Sequence, residues 1–540
     1  MESPLARELE ITLSAINFYN RKRAAGALFI CPLPCAHNPV LSSVSVSTIA
    51  TQSIDATRQR AVVSALAAFL PQHTLIYERE DVQPYECDGL SAYHQLPMVV
   101  ALPETVGQVQ RTLKVCFDLG VPVIARGAGT GLSGGALPRG DGVLLSLAKF
   151  NRIIEIDPHA RTARVQCGVR NLAISEAATP HGLYYAPDPS SQIACSIGGN
   201  VAENAGGMHC LKYGLTIHNI VKLQAFTIEG ELLDIGGDGP DTSGYDLLAL
   251  LTGSEGLLAV ITEVTVRLLP KPQCAQCILA AFNDIAQASQ AVAAIIAAGI
   301  IPASLELMDK LTISAVEPFV NAGYPLNAAA VILCESDGMI AEVAEEIERM
   351  KTVFAASGAF EIRVSRDDAE RARFWAGRKA AFGAAGRVSP DYYCMDGTIP
   401  KKALSQVLNT IATLSQQYGL RCMNVFHAGD GNLHPLILYD ANQPGELELA
   451  EHFGHDILRL SIEAGGTITG EHGVGVEKID AMCEQFRSPE LSMFHRIKAA
   501  FDPRALLNPG KAVPTLQRCA EFGRMHVHAG REKFPGLPRF

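Results

Sequence analysis

Pro122 to Pro138 read PVIARGAGTGLSGGALP, and glycines at 127, 129, 131, 134 and 135 leave five of nine consecutive positions without a side chain. Glycine permits left-handed backbone and close approach, so successive N–H groups of such a run can turn inward on an anion, and a pyrophosphate matches a loop of this length. Arg126, directly ahead of the glycines, adds a permanent charge, and Ala128, Thr130 and Leu132 between them leave the backbone accessible. The spacing Gly129-x-Gly131-x-x-Gly134 also satisfies the dinucleotide fingerprint, and Val121 to Ala125 reads as the strand before it. That fingerprint requires a helix to open at the third glycine. Here the chain passes Pro138 and an Asp141-Gly142 turn into another strand-like run, Val143 to Leu147, which leaves no room for a helix. The reading is a phosphate-cradling loop between two strands, not a Rossmann site.

Working outward, apolar spacing predicts a helix from Arg58 to Leu70, a strand over Met98 to Ala101, and a helix N-capped by Thr105 that runs to about Leu119. Two further small-residue stretches follow the first loop. Pro187 to Gly214 carries glycine pairs at 198/199 and 206/207 together with Ser190, Ser191, Asn200 and Asn204. Gly253-Ser254-Glu255-Gly256 leads into a strand with alternating burial. Three such stretches in one half of a chain point to one extended, phosphate-bearing cofactor. After Pro270 and Pro272 the glycine loops stop, and helical periodicity over Ala341 to Ala355, Asp368 to Phe382 and Leu404 to Tyr418, with strands such as Ala329 to Cys334 between, predicts a second, α+β domain.

The chain has 540 residues, 48% of them hydrophobic and 19% charged, with a net charge of −11. Without a dense Lys/Arg block this excludes nucleic acid as a partner. The 14 cysteines are scattered, which favours reduced, buried thiols, and Cys274-x-x-Cys277 is one pair where an iron–sulfur centre needs about four ligands. Ile285 to Leu305 is uncharged but interrupted by polar residues, Gly299 and Pro302, so it reads as a buried helix ending near Gly299. Residues 1–55 faintly resemble a signal sequence, with Arg21-Lys22-Arg23 before a short apolar run, but are read as a disordered or misassigned start.

In VFHAGDGNLHPLIL, Asp430-Gly431 is a two-residue hairpin signal between apolar runs. Centring the turn there sets His427 opposite His434, with Cβ atoms about 5 Å apart, close enough for both imidazoles to share one ion. A carboxylate, Glu471, is available in Gly470-Glu471-His472-Gly473-Val474-Gly475, and two imidazoles with one carboxylate leave open positions on a divalent ion.

YECDGLSAY (85–93), RGAGTGLSGGALP (126–138), APDPSSQIACSIGGNVAENAGG (186–207), FWAGRKAAF (374–382), DYYCMDGTIP (391–400), HAGDGNLHPLIL (427–438), GEHGVG (470–475) and LNPGK (507–511) together resemble the vanillyl-alcohol-oxidase, or PCMH-type, family of FAD enzymes in its D-2-hydroxy-acid dehydrogenase branch. The resemblance covers about residue 57 to 540. It implies an α+β fold: a PCMH-type FAD-binding domain over 56–271, a substrate or cap domain over 272–500, and a C-terminal segment, 501–540, returning to the flavin. It implies that Arg126 to Gly135 hold the pyrophosphate, that Pro187, Asp188, Pro189, Ser190, Ser191, Gly198, Gly199, Asn200 and Asn204 lie along the flavin ring and ribityl chain, and that Glu255, Gly256 and Ile261 lie toward the adenine, with Asn508 from the C-terminal segment. Some relatives attach flavin through a histidine in the first loop; this loop has none, so FAD is expected to be non-covalent.

The same resemblance places Glu471 with His427 and His434 on one divalent metal ion (Zn, Mn or Fe), makes His472 the catalytic base and gives the substrate carboxylate to Arg378. Relatives acting on longer diacids carry polar groups near Cys394 and Leu436, so glycolate is the expected substrate, with D-lactate next. Electrons are expected to pass to a separate iron–sulfur subunit, alongside a second FAD-binding subunit, and on to membrane quinone, with this chain cytoplasmic and peripheral to the inner face of the membrane. A non-catalytic FAD-binding subunit would need no histidine cluster, and a metal hydrolase would need no flavin loops.

Overall fold

The structure is a computed structural model that describes residues 53–237, 239 and 244–515. The expected N-terminal extension up to residue 52, and the C-terminal segment beyond 515, lie outside the described residues.

The helix Ala56–Ala67 opens on Asp55, whose carboxylate accepts the N–H groups of Thr57 and Arg58. The helix Val106–Leu119 opens on Thr105, with Gln108 completing a capping box, and stops at Gly120 in the left-handed region (φ 64°). Beside them a four-stranded sheet runs in the order Leu75–Ile76, Val99–Ala101, Val143–Ser146, Val123–Arg126. The last two are parallel neighbours, Val123 against Val143 and Arg126 against Ser146. Parallel neighbours need a long crossover, usually a helix. Here residues 127–142 contain no helix; the glycine loop is itself the crossover, and its amides are not consumed by intrahelical bonds.

A second, antiparallel sheet runs Ile153–Asp157, Thr162–Gln166, Val260–Arg267, Ile220–Phe226, Leu232–Gly236. Its buried face, with Ala163, Val165, Leu223, Ala225, Val264 and Val266, shares one core with Val109, Leu113, Val123 and Val143 of the first unit. Between the sheets, the Pro187 to Gly214 stretch is less loop-like than its composition suggests. A helix, Ile197–Glu203, opens on Ser196, and Asn204 closes it in the left-handed region (φ 53°). Gly198 sits in its first turn because a Cβ there would lie 2.6 Å from Cys167 Cβ.

The third sheet has seven strands, in the order Glu361–Val364, Cys274–Phe282, Ala330–Gly338, Ser304–Asp309, Cys422–His427, Asn432–Tyr439, Asp391–Cys394. Helices Ile285–Ala297, Ile340–Ala356, Leu404–Tyr418 and Glu446–Glu463 bury one face through Ile278, Leu305, Leu307, Ile332 and Phe426. On the other face Met308, Leu333, Val425 and Leu436 meet helices Lys310–Val320 and Asp368–Lys379. Alternation along each strand puts Glu306, Glu335, His427 and His434 on this second face. Alternation also separates Cys274 from Cys277, which pack on opposite faces. The run read as one helix from Asp368 to Phe382 is two: it ends at Lys379, where the Ala380 N–H turns back to Ala376 and Arg378, and Ala381–Ala385 follows.

The C-terminal segment returns to the glycine loop. Leu507 bridges Val123 in parallel, Asn508 Nδ2 donates to the carbonyls of Gly135 (2.9 Å) and Glu255 (2.7 Å), and Lys511 Nζ donates to those of Gly135 and Leu137.

Candidate active site

One cavity of about 400 Å³ is walled by Arg126 to Leu132 and Gly135, by Pro189, Ser190, Ser191, Gly198, Gly199 and Asn200, and by Glu255, Gly256 and Ile261. All three small-residue stretches therefore meet in one wall. Gly127 lets the first touch the second, since a Cβ there would lie 2.1 Å from Ser196 Oγ, whereas Gly131 has nothing within 4 Å of that position and leaves its backbone open. The Arg126 guanidinium donates to the Cys87 carbonyl at 2.7 Å and so ties the Tyr85–Tyr93 stretch to the loop. At the other end the same cavity reaches Lys379, Phe382, His434, Glu471 and His472.

Several expected cofactor residues shape this wall from behind. Gly134 packs on Val476, Asn204 Oδ1 accepts from Ile217 N, the Pro187 carbonyl accepts Asn171 Nδ2, and Asn508 ties down Gly135 and Glu255. Asp188 is held by His209 at 2.8 Å. Glu255 clamps the two halves together, its oxygens accepting the N–H groups of Val474 and Gly475, each at 2.7 Å.

The hairpin differs in register from its sequence reading. His427 pairs with Asn432 and His434 with Val425, because the loop is Ala428–Gly431 rather than Asp430-Gly431 alone. The Gly431 N–H returns to the His427 carbonyl at 3.0 Å, Asp430 Oδ1 accepts from Asn432 N at 3.1 Å, and Gly431 takes φ 89°. The partner of His427 has moved by two residues, an even number, so both imidazoles remain on one face. Their ring centroids are 5.0 Å apart.

Glu471 Oε1 lies 2.9 Å from His434 Nε2 and 3.3 Å from His427 Nε2. The far nitrogens are anchored, His427 Nδ1 on Glu306 Oε1 at 2.8 Å and His434 Nδ1 facing the Met395 carbonyl at 3.4 Å. Outer partners of this kind orient metal-ligating histidines, and the donor set suits a divalent ion with open positions. Burial alone would strip His427 of its proton, but Glu306 and Glu471 outweigh it and raise its pKa well above the ordinary value.

His472 stacks on His434, centroids 4.9 Å apart and rings 6° from parallel. Burial lowers its pKa to about 4, so the imidazole is uncharged at neutral pH. Its loop is shaped by Asp396, fully buried, which accepts the N–H groups of Gly470 and His472 and the Lys478 ammonium at 2.9–3.0 Å. Gly473, with φ 80°, lets that loop dock, since a Cβ would lie 2.0 Å from Glu203 Oε2.

Arg378 is 1% exposed and does not line the cavity; its Nε donates to Glu306 Oε2 at 2.7 Å, and its Nη2 is buried without a partner. Lys379 and Phe382, one and four residues on, do line it. Sequence reasoning missed Glu203, Glu306, Lys379, Phe382 and Asp396. Glu306 left one signal, a carboxylate set between two leucines in Leu305-Glu306-Leu307.

Two family profiles match the chain: an FAD binding domain over residues 97–236 and the C-terminal domain of FAD linked oxidases over 271–512. The chain is 61% identical over 479 residues to the glycolate oxidase subunit GlcD of Escherichia coli, covering 89% of this chain and 96% of that protein. It is 32% identical to a D-lactate dehydrogenase of Archaeoglobus fulgidus, covering 77% and 92%. Among solved structures, p-cresol methylhydroxylase with substrate bound superimposes with a TM-score of 0.73 at 18% identity, over 86% of this chain and 99% of that one; this likeness shows the PCMH-type fold. With its glycine-walled cavity, its two-part FAD-binding region and that level of identity, the chain belongs to the FAD-linked oxidases, in the family that includes GlcD.

Proposed function

We propose that this enzyme oxidises glycolate to glyoxylate with non-covalent FAD, and that D-lactate is the second small acid it accepts. One observation carries the reading: a single cavity joins the glycine loops to His434, Glu471 and His472, so flavin and acid would share one space. The names of the two relatives point to the same acids. When bound, FAD supplies the hydride acceptor, and a divalent ion on His427, His434 and Glu471 supplies a Lewis acid that lowers the pKa of the substrate hydroxyl.

The chain's own groups do the rest. His472 takes the hydroxyl proton at Nε2, the nitrogen facing Glu471 at 3.8 Å. Arg378, the proposed partner of the substrate carboxylate, stands behind the cavity wall with its Nη2 unpartnered, and Lys379 supplies charge at the wall itself. Phe382, edge-on to His434, with buried Cys394 and Leu436 behind, offers nothing to a second carboxylate. In this reading 56–271 carry the flavin, 272–500 the acid, and 501–515 return to the flavin.

The name of the relative as a subunit supports a multi-subunit enzyme. The proposed partners are an iron–sulfur subunit and a second FAD-binding subunit, which pass electrons to membrane quinone from a cytoplasmic, peripheral complex. Among the described residues no helix is long and apolar enough to cross a membrane. The test is an anaerobic absorbance spectrum: glycolate should bleach the flavin band and D-lactate should bleach it more slowly. An oxidised band unchanged by either acid rejects the reading.

A further inference from the structure

A second buried charge network joins the cofactor-side loops to the seven-stranded sheet. The Asp188 carboxylate accepts the backbone N–H of His209 at 3.2 Å and meets its Nδ1 at 2.8 Å. The other ring nitrogen, Nε2, lies 3.6 Å from Glu335 Oε1, and the ring is 6.3 Å from that of Trp375. Glu335 is 2% exposed and accepts from Trp375 Nε1 and, at 3.3 Å, from Arg371 Nη1. Arg371, Trp375 and Arg378 fall on one face of the helix Asp368–Lys379. That helix grips the sheet at two carboxylates, Glu335 at one end and Glu306 at the other; His427 hangs from the second and His209 from the first.

We propose that His209 is a positioning residue for the oxidation described above: it fixes the Pro189–Ser191 wall of the cavity to the helix that carries Arg378 and Lys379. The inference rests on the proposed function for its substrate, but not for its geometry. Pro189 to Ser191 follow Asp188 directly and line the cavity. Gly207 packs so closely on Asp188, with a Cβ position 2.5 Å from its carbonyl oxygen, that the His209 turn and the Asp188 loop move as one body. Without His209, the contact of that body with Glu335 is lost.

With one carboxylate at 2.8 Å from Nδ1 and another at 3.6 Å from Nε2, the ring is favoured as the imidazolium, which alone carries a proton toward both. His209 and Arg371 then balance Asp188 and Glu335. Burial works against the proton, but the two carboxylates outweigh it and hold the pKa of His209 well above the ordinary value. Of the neighbouring groups, Cys210 is a buried thiol, and Lys212, Tyr213 and Asp337 are engaged with one another at 2.6–2.7 Å.

The test compares holoenzymes of wild type, His209→Gln, Glu335→Gln and the double variant. Each single variant should release FAD on dilution about tenfold faster than wild type and reduce its flavin about tenfold more slowly at saturating glycolate. KM should change by less than about twofold. The double variant should be no worse than the worse single, because both changes cut one connection. Release from wild type should accelerate as the pH rises above neutrality, and release from His209→Gln should not.

Release and reduction within about twofold of wild type in His209→Gln, or losses that multiply in the double variant, overturn the proposal. Should His209→Gln fail to fold, Glu335→Gln alone decides, because Glu335 touches no part of the cavity wall and unchanged release there is fatal. If wild type is bleached by neither acid, the substrate reading falls, while FAD release, which needs no substrate, still tests the role of His209.

Discussion

The two ends of the cavity are built from different materials. The cofactor end is mostly backbone: its first loop lies within Arg126 to Gly135, and its capacity depends on where a Cβ is missing. The other end is side chains: Lys379, Phe382, His434, Glu471 and His472 at the wall, with Glu306, Arg378, Asp396 and His427 behind them, on separate strands, helices and loops. A backbone cradle tolerates changes of charge and fails when a methyl group is added. A side-chain cluster tolerates little change of charge and owes its geometry to outer partners. Substitutions at the two ends should therefore separate flavin retention from turnover.

The largest effect is expected from His434→Ala. Loss of one imidazole empties or weakens the proposed ion site while the glycine loops stay intact. The variant should keep the oxidised flavin spectrum and bleach with dithionite, but bleach with glycolate at least about a hundredfold more slowly, a barrier about 2.7 kcal/mol higher. Metal analysis should find less divalent ion than in wild type. Loss of FAD together with the ion would instead join the two ends and break the comparison.

Arg378→Lys comes next. A lysine cannot both keep the Glu306 contact made by Nε and present a second, forked donor. kcat/KM for glycolate should fall about tenfold, or about 1.4 kcal/mol, with FAD content normal. Kinetics indistinguishable from wild type would reduce Arg378 to a support for Glu306.

At the cofactor end, Gly127→Ala pushes Ser196 Oγ off the position from which it caps the helix Ile197–Glu203. Such a cap is worth about 1 kcal/mol, so FAD affinity should fall about fivefold while the flavin-loaded fraction turns over normally. Slowed reduction of the loaded enzyme would show that the cradle also sets the chemistry.

The same contrast explains what the sequence discloses. Thr105 and Gln108, the helix Leu404–Tyr418 and the glycine loop are legible because each signal and its consequence lie within a few residues. The helix at Ile197 is hidden by its own glycines, since its cap and its packing on Cys167 outweigh their poor propensity. The hairpin register was misread because Asp430-Gly431 fits a two-residue turn, yet the Gly431 N–H closes a wider loop on His427. The shared face of the two histidines survives because only an odd shift would have turned one away. Partnerships such as Glu306 with His427, or Asp188 with His209, span distances in sequence that no local pattern records.

The last expected effect concerns stability rather than turnover. Glu477 is buried, neither of its carboxylate oxygens has a hydrogen-bond partner, and it does not line the cavity. Burial, opposed by Lys478 and helped by Asp396 and Asp88, raises its pKa from 4.5 to about 8. Lys478 Nζ stands 3.7 Å from Glu477 Oε2, farther than from Asp396 Oδ2 at 3.0 Å and the Gly473 carbonyl at 2.9 Å, so it offsets burial only in part. Between those two pH values the folded protein holds a proton that the unfolded chain has released, so this carboxyl makes stability fall as pH rises from about 4.5 through about 8. Glu477→Gln keeps the shape of the protonated acid and cannot ionise. Melts of the flavin-loaded proteins should coincide at about pH 4 and separate by about pH 9, with the variant more stable by on the order of 1–3 kcal/mol. His209 also loses stability on the alkaline side, but it does so in both proteins, and the difference between them isolates Glu477. Curves that stay parallel across the range would mean that Lys478 turns to Glu477 when it ionises, and that the two buried carboxylates, Asp396 and Glu477, share one ammonium.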